Sequence, residues 1–192
     1  MIVAVTGGIG AGKSTVCNIL RVKGFEVYDC DSRAKAVMDS DAELRRRLRR
    51  RFGTAVISEK GIDRRALAEI VFNDAAALDD LNALVHNAVK ADIHRCAVAC
   101  TGPVFFIETA ILYQSGLNEY VDRQWLVEAD ESTRVRRVMR RNGLTADEVK
   151  ARIKAQEYLI PDNAVRPVTD LIDNSDDAVL LPQVNSLLQI LL

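Results

Sequence analysis

The sequence of 192 residues has few of the residues that mark zinc proteins, disulfide-rich proteins or nucleic-acid-binding proteins. Its four cysteines include no Cys-x-x-Cys pair, and we interpret them as small apolar core residues. The two histidines, His86 and His94, have no third ligand at a metal-binding spacing. Aromatic residues make up only 5% of the chain and the formal net charge is −1, which argues against a nucleic-acid partner.

Long apolar segments are also missing. No stretch is long enough to span a bilayer, and the apolar run at residues 2–5 lacks the basic leader and the length of a signal peptide. The composition is 48% hydrophobic, which supports a sizeable core. The sequence therefore predicts a cytoplasmic α/β protein with no membrane partner, acting as a monomer or a small homo-oligomer.

The most informative stretch is residues 2–15, where an apolar run leads directly into Gly-x-x-x-x-Gly-Lys-Ser. Residues 2–5 predict a strand buried on both faces, and Val16, Ile19 and Leu20 mark the apolar side of a following helix. A strand, a glycine-rich turn and a helix in this order are the context of a phosphate-binding loop. The sequence therefore predicts nucleotide binding.

The residue types in this loop match the chemistry of a nucleoside triphosphate. Gly7, Gly8, Gly10 and Gly12 let the backbone approach an anion, and the helix N-terminus adds partial positive charge. The Lys13 side chain can reach the β- and γ-phosphates, and the hydroxyl of Ser14 can bind Mg²⁺. The loop does not identify the phosphoryl acceptor, because motors, GTPases and small-molecule kinases share it.

Five short apolar runs separated by helical patterns predict a doubly wound parallel sheet. The runs are residues 2–5, 25–28, 104–107, 125–127 and 168–172. Ligands bind such sheets at the carboxyl ends of the strands. The expected functional segments are therefore residues 6–15, residues 29–31, Glu108 with Thr109, and residues 129–131.

Two long gaps between these runs predict additional helical parts. More than seventy residues separate Tyr28 from Val104, so we expect an inserted helical subdomain over about residues 32–100. The gap at residues 131–159 predicts two helices joined at Asn142-Gly143. The chain would then be a single phosphate-loop domain with its core at about residues 1–31, 101–130 and 160–192.

Residues 131–159 are rich in arginine, which favours a lid that closes over phosphates. Closing arginines neutralise developing charge and exclude water. The arginines are Arg134, Arg136, Arg137, Arg140, Arg141 and Arg152. The alternative is a solvated helix face paired with nearby acidic residues.

Three other features leave alternatives open. Asp29 and Asp31 follow the second predicted strand, and we favour Asp31 as the general base, the alternative being that these acids cap the next helix through Asp31 or Ser32. His86 either faces a substrate cleft or packs between helices. The basic run at residues 45–51 is interpreted as a solvated helix face, with nucleic-acid binding as the alternative.

These residues resemble the dephospho-coenzyme A kinase family over nearly the whole chain. The matching segments are residues 6–16, Asp29-Cys30-Asp31, Leu81-Asn82-Ala83-Leu84-Val85-His86, Arg152-Ile153-Lys154-Ala155-Gln156 and residues 169–174. The resemblance implies a phosphate-loop kinase with a nucleotide core, an inserted subdomain for coenzyme A and a lid. It also implies ATP-dependent phosphorylation of the ribose 3′-hydroxyl of dephospho-coenzyme A, the last step of coenzyme A synthesis.

The same resemblance implies roles for individual residues. Asp31 matches the base, and the catalytic set would be Asp31, Lys13 and Arg141. The ATP-binding residues would be Gly8, Gly10, Ala11, Gly12, Lys13, Ser14, Thr15, Arg141 and Arg152. The acceptor-binding residues would be Asp31, His86 and Thr109. Glu108, at a strand end, suits an acid that holds Mg²⁺ through water.

The chain departs from the family pattern at a few positions. Asn87 stands where the family usually has proline, and Ala110 and Gln114 replace a proline and a glutamate of the segment after the third predicted strand. A kinase for another small acceptor, such as a nucleoside, a nucleotide or a sugar, would keep the same loop and lid. A nucleotide-gated switch is a further alternative, but the sequence has no Asn-Lys-x-Asp guanine motif.

Overall fold

A computed structural model describes residues 1–58, 61–157 and 167–192. In chain order its strands and helices are β1 (Ile2–Thr6), α1 (Lys13–Val22), β2 (Val27–Asp29), α2 (Cys30–Ser40), α3 (Ala42–Phe52), β3 (Ile57–Ser58), β4 (Gly61–Ile62), α4 (Arg64–Val71), α5 (Ala75–Ala99), β5 (Phe105–Glu108), β6 (Arg123–Glu128), α6 (Glu131–Asn142), α7 (Ala146–Glu157), β7 (Val168–Asp173) and α8 (Leu180–Leu191). Two short 3₁₀ turns lie at Thr54–Val56 and Leu117–Glu119.

All the strands other than β3 and β4 form one sheet, in the order β2-β5-β1-β6-β7. β1 pairs in parallel with β5 and β6, and β6 pairs in parallel with β7. The order reverses direction at β1, because the chain moves to one side through β2 and β5 and to the other through β6 and β7. This confirms the predicted α/β fold with a doubly wound five-stranded sheet, and it makes the end of β1 the expected ligand position.

One compact unit comprises Met1–Tyr28 and Cys100–Leu192. Its centre is aromatic and aliphatic: the Phe106 ring lies 5.4 Å from that of Phe25 and 5.1 Å from that of Trp125, measured between centroids. Val3, Ala4 and Val5, whose side chains alternate between the two faces of β1, are all fully buried. Burial on both faces is what an uninterrupted apolar strand requires in a parallel sheet, and it fixes β1 as the rigid base of the phosphate loop.

A second compact unit comprises Asp29–Ala99. Four of its helices begin after an aspartate whose side chain accepts backbone N–H bonds, namely Asp29 for α2, Asp41 for α3, Asp63 for α4 and Asp74 for α5. Its core brings together Leu44, Leu48 and Phe52 of α3 with residues of the other helices. The antiparallel pair of β3 with β4 was not expected from the sequence, because strands of two residues leave no periodic pattern.

Several boundaries differ from the predictions. The second strand begins at Val27 rather than Phe25. β6 begins two residues earlier than its apolar run, because Arg123 pairs with Asp170 at 2.8 Å and the side chain of Gln124 donates to Thr169 at 2.6 Å, both on β7. Cross-strand partners of this kind let polar residues occupy a strand.

The start of α2 corrects one detail of the sequence interpretation. The capping residue is Asp29, whose Oδ1 accepts hydrogen bonds from the backbone N–H groups of Asp31 and Ser32. The alternative interpretation, a cap through Asp31 or Ser32, is therefore wrong in its residues, because the helix begins at Cys30 and places both inside its first turn.

Other expectations have mixed outcomes. Cys17 and Cys30 are buried as expected, whereas Cys96 and Cys100 are partly exposed; all four are free thiols. The end of the predicted lid (residues 158–159) and the start of the last core segment (residues 160–166) lie outside the described residues. Across the parts of the chain that are described, none of the helices combines the length and apolar character needed to cross a bilayer.

Candidate functional site

The phosphate loop follows β1 at the centre of the sheet and requires glycine at specific points. Gly7 has φ +145°, and a Cβ there would lie 2.2 Å from the carbonyl oxygen of Val127. Gly12 has φ +100° directly before α1, and a Cβ there would lie 1.9 Å from the side-chain nitrogen of Asn174. Both positions therefore exclude side chains by backbone strain and by lack of space. The loop is locked between β6 and the segment after β7.

The carbonyl groups of the loop are bound by surrounding donors. The ammonium of Lys13 donates to the carbonyls of Gly7 at 2.8 Å and Gly8 at 3.3 Å. The side-chain amide of Asn174 donates to the carbonyl of Ala11 at 2.7 Å. Because these carbonyl oxygens are already hydrogen-bonded, the groups that remain to bind a ligand in the loop are the backbone N–H groups at the start of α1. An anion is the ligand that this arrangement favours.

Helices α6 and α7 hold the tip of the loop at Ile9. The Nε of Arg134 on α6 donates to the carbonyl of Ile9 at 3.0 Å, and the backbone N–H of Ile9 donates to Oε1 of Gln156 on α7 at 2.7 Å. The Ile9 side chain also packs on an apolar cluster formed by Val138, Val149 and other residues of these helices. Movement of either helix would thus act on the loop directly.

Ser14 and Glu108 provide the oxygen atoms of a possible metal site. The hydroxyl of Ser14 donates to Oε1 of Glu108 at 2.6 Å, which joins the start of α1 to the end of β5. Arg21 lies 3.6 Å from the other carboxylate oxygen. Mg²⁺ prefers oxygen ligands and is usually held by one or two protein groups with substrate phosphates and waters. The pair fits this requirement.

No larger protein cage is present in the described segments, where no group of three or more His, Cys, Asp or Glu side chains is arranged to hold a metal ion. A cation beside Ser14 and Glu108 would therefore depend on nucleotide oxygens for much of its coordination. This is the usual situation for Mg²⁺ in phosphoryl-transfer enzymes.

A cavity of about 450 Å³ lies beside the loop and within the size range of small-molecule sites. Its lining includes Gly8, Ala11, Glu128, Asp130, Arg134 and Ser175. Hydrogen bonds from Ser132 and from the backbone of Thr133 hold the pKa of the Asp130 carboxyl well below its ordinary range. The cavity thus combines the phosphate loop and Arg134 with an ionised carboxylate at the start of α6.

The predicted acceptor residues occupy different environments. Asp31 is exposed in the first turn of α2. Thr109 is only 2% exposed, and its hydroxyl oxygen accepts a hydrogen bond from the backbone N–H of Ile111. Ala110 and Gln114, two of the positions that depart from the family pattern, line a small cavity of about 110 Å³ with Gly7 and Gln156. The acceptor roles remain predictions.

His86 is partly buried on α5, and its pKa is lowered from 6.5 by burial and then by the positive charge of Lys90. In the unfolded chain His86 binds a proton at its ordinary pKa of 6.5, whereas in the folded chain it is protonated only at a lower pH. The neutral imidazole therefore contributes stability above about pH 6.5, and this contribution is lost as the pH falls through the folded-state pKa.

We expect His86→Gln to weaken the acid sensitivity of the protein. The drop in Tm between about pH 7.5 and about pH 5 should be smaller than in the wild type, because the proton uptake on unfolding is removed. Thermal melts at both pH values measure this, with His94→Gln, an exposed position of the same helix, as the matched control. Equal pH dependence of His86→Gln and the wild type would contradict the expectation.

The arginines bonded to the loop or to the segment after β7 that contacts it are not the two implied by the family resemblance. Arg134 contacts Ile9, and Arg137 donates to the carbonyl of Asn174 at 2.8 Å. Arg141 is exposed in the last turn of α6, where its Nε donates to the side chain of Asn142, and Arg152 is exposed on α7. The proposed contacts of Arg141 and Arg152 with ATP remain predictions. The missed signal was periodicity, since positions 134, 137 and 141 share one helix face.

Comparisons with known proteins give a consistent result. The model of the Dephospho-CoA kinase family matches residues 1–179. A dephospho-CoA kinase of Streptococcus pyogenes serotype M1 is 33% identical over 196 aligned residues, covering 100% of this chain and 98% of that protein. One of Porphyromonas gingivalis is 38% identical over 156 residues, covering 81% of this chain and 77% of that protein.

Solved structures agree with the fold. The crystal structure of TT1252 from Thermus thermophilus has a TM-score of 0.75 and 33% identity, and the match covers 99% of this chain and 95% of that one. A dephospho-CoA kinase from Campylobacter jejuni has a TM-score of 0.68 and 25% identity, with 98% and 95% covered.

Proposed function

This chain belongs to the dephospho-CoA kinase family, and on that premise we propose how its residues divide the work of a phosphoryl transfer. The enzyme is a kinase of coenzyme A biosynthesis that uses ATP. It transfers the γ-phosphoryl group of ATP to the ribose 3′-hydroxyl of dephospho-coenzyme A, giving coenzyme A and ADP. The reaction takes place in the cytoplasm, with the protein as a monomer or a small homo-oligomer and without a nucleic-acid or membrane partner.

The phosphate loop carries the nucleotide part of the proposal. The loop residues that bind the ATP phosphates are Gly8, Gly10, Ala11, Gly12, Lys13, Ser14 and Thr15. The Lys13 ammonium exchanges its two carbonyl acceptors, 2.8 and 3.3 Å away, for phosphate oxygens. Phosphate oxygens carry negative charge and the carbonyl oxygens do not, so the exchange adds attraction between opposite charges. Arg141 and Arg152 approach ATP from the lid.

The acceptor part rests on Asp31, His86 and Thr109. The Asp31 carboxylate accepts the proton of the 3′-hydroxyl as that oxygen attacks the γ-phosphorus. His86, kept neutral by its lowered pKa, can hydrogen-bond to the acceptor without adding positive charge. Thr109 directly follows β5, and its hydroxyl oxygen accepts a hydrogen bond from the backbone N–H of Ile111. This bond fixes the conformation of the segment after β5, where we place part of the acceptor site.

Mg²⁺ would be held by Ser14 directly and by Glu108 through water. The 2.6 Å contact between the two side chains is the observation that supports this assignment. When bound, the ion neutralises charge on the β- and γ-phosphate oxygens. Glu108 also orients the Ser14 hydroxyl by accepting its proton in a hydrogen bond.

We expect Glu108→Gln to raise the Mg²⁺ concentration needed for half-maximal activity by about tenfold, because the loss of one carboxylate near a metal typically costs that much affinity. Initial rates across a Mg²⁺ titration at fixed ATP measure the effect. Glu119→Gln, at an exposed carboxylate of a 3₁₀ turn, is the matched control. An unchanged titration curve would remove Glu108 from the metal site.

Arg134→Ala should raise KM for ATP by about tenfold, the effect of losing one charged hydrogen-bond donor. Arg134 holds the Ile9 carbonyl, and its Nη2 is so close to Gly8 that a Cβ there would lie 2.3 Å away. Initial-rate kinetics with varied ATP measure the change, with the exposed Arg140→Ala on the same helix as control. Equal KM values for the two variants would assign Arg134 no role in ATP binding.

The single observation that carries the proposal is the phosphate loop at the end of β1. Lys13 is hydrogen-bonded to the loop carbonyl of Gly7, and Ser14 is hydrogen-bonded to Glu108 beside it. The test is ADP release from Mg·ATP with dephospho-coenzyme A, adenosine, AMP and a sugar panel, with product mass recorded. A product heavier by one phosphoryl group is expected with dephospho-coenzyme A alone. Turnover with another acceptor, or ADP release without any acceptor, would overturn the assignment.

A further inference from the structure

The second unit contains a basic groove whose residues have no role in the proposed function. The groove lies between α3 and α5 and has a volume of about 480 Å³. Arg47, Arg50 and Arg51 line it from α3, and Asp80, Leu84 and Asn87 line it from α5. We call the groove lined by these six residues the basic groove. All of them belong to the unit that comprises Asp29–Ala99.

Two of the three arginines are uncompensated. Arg51 pairs with Asp80 at 2.5 Å, and its guanidinium lies 5.2 Å from the Phe52 ring centroid. Arg47 and Arg50 make neither an ion pair nor a hydrogen bond through their side chains with any residue that the structure describes. Like charges three or four positions apart destabilise a helix. The helix therefore carries a repulsion that an anion in the groove would relieve.

The position of these arginines on α3 does not by itself account for the groove. Cations near a helix C-terminus interact favourably with the helix dipole, and this explains Arg50 and Arg51 in the last turn. It does not explain Arg47, a full turn earlier. The spacing of positions 47, 50 and 51 places all three side chains on one face of α3, and that face meets α5.

The α5 wall adds a polar group and an apolar floor. Asn87 stands where the family pattern usually has proline, so this chain has an amide with donors and an acceptor at a position where proline offers no side-chain hydrogen bond. Leu84 is only partly exposed and adds apolar surface beside it. Guanidinium groups, an amide and an apolar floor together suit an organic phosphate better than a bare inorganic ion.

We propose that the basic groove binds the diphosphate group of an organic diphosphate ester. Planar guanidinium groups match phosphate oxygens in pairs, and two uncompensated arginines balance the two charges of a diphosphate diester. The organic part rests on Leu84, and the groove volume lies in the range of small-molecule sites. The diphosphate comes either from the acceptor substrate, an assignment that rests on the proposed function, or from a separate nucleotide diphosphate ester.

The test is isothermal titration calorimetry, which measures the dissociation constant of pyrophosphate. Pyrophosphate is titrated into the full-length protein while a non-hydrolysable ATP analogue saturates the phosphate loop. Arg47→Ala/Arg50→Ala should weaken binding by about 100-fold, or about tenfold for each charged donor removed. Arg49→Ala, on the same helix but outside the groove lining, is the matched control and should bind as the wild type does. Circular dichroism confirms that the double variant remains folded.

Steady-state kinetics identify the source of the diphosphate. A rise in KM for dephospho-coenzyme A in the double variant, with KM for ATP unchanged, assigns the groove to the acceptor. Loss of pyrophosphate binding with both KM values unchanged assigns it to a separate ligand. Pyrophosphate binding that is equal in the double variant and the wild type, or equally weakened by Arg49→Ala, would overturn the proposal. A wild type that binds pyrophosphate but leaves dephospho-coenzyme A unphosphorylated would overturn the proposed function alone.

Discussion

Lys13→Met is expected to lower kcat about 10³-fold, which corresponds to roughly 4 kcal/mol of lost transition-state stabilisation. The methionine keeps the length and most of the apolar stem of lysine but removes the charge. Phosphoryl transfer gives the protein little covalent chemistry to perform, so catalysis depends on positioning and on charge placed where the transferred group carries it. Lys13, at the first position of α1, is the cation of the phosphate loop itself.

The local structure explains why this loss would appear in the rate more than in stability. The Lys13 ammonium is bound to the carbonyls of Gly7 and Gly8, two neutral acceptors in a part-buried position. Loss of a hydrogen bond from a charged donor costs about 1.5 to 3 kcal/mol of folding free energy, whereas the phosphate contact is made only with ATP bound. The Tm should therefore fall by no more than about ten degrees.

Measurement of kcat by coupled ADP release, with a thermal melt for each protein, separates the two effects. Lys23→Ala, at the exposed residue that directly follows α1, is the matched control and should keep wild-type activity. If Lys13→Met kept more than about a tenth of wild-type kcat, the dominant charge on the transferred group would have to come from elsewhere. Arg134, which already contacts the loop at Ile9, would then be the first residue to examine.

The parts of this structure that the sequence predicted well are those decided locally. The phosphate loop follows from a run of glycines between a buried strand and a helix, all within fifteen residues. The helix junction predicted at Asn142-Gly143 is equally local: α6 ends at Asn142, and the backbone N–H of Gly143 donates to the carbonyl of Met139 at 2.8 Å. Such interactions form between neighbours in the sequence, so their pattern is visible before any tertiary structure is known.

The parts that were missed depend on how distant segments pack. Arg134, Arg137 and Arg141 share one face of α6, and only the packing of that helix on Ile9 decides which of them touches the loop. The early start of β6 depends on partners more than forty positions away, such as Asp170 for Arg123. Periodicity gives the face of an element, whereas the contact along that face is set by the tertiary fold.

Two aspartates of one short segment differ in what their side chains do. Both oxygens of Asp29 are engaged in the first turn of α2, since Oδ1 accepts from two backbone N–H groups and Oδ2 accepts from the hydroxyl of Ser32 at 2.6 Å. The carboxylate of Asp31 is exposed and accepts no hydrogen bond from the residues that the structure describes. Asp31 is therefore free to accept a proton from a substrate hydroxyl, and Asp29 is not.

Asp31→Asn is accordingly expected to lower kcat by about 10²- to 10⁴-fold with KM for ATP unchanged, because an amide cannot accept the proton of the 3′-hydroxyl. Asp29→Asn is the matched control: asparagine caps helices as well as aspartate does, so this variant should keep its fold and most of its activity. Initial rates with dephospho-coenzyme A and thermal melts of both variants measure the difference. If Asp29→Asn lost as much kcat as Asp31→Asn at an unchanged Tm, Asp31 could not be assigned as the base by itself, because Asp29 would then also take part in the proton transfer. If Asp31→Asn alone lost activity, the helix cap and the base would be two separate functions of one Asp-x-Asp segment.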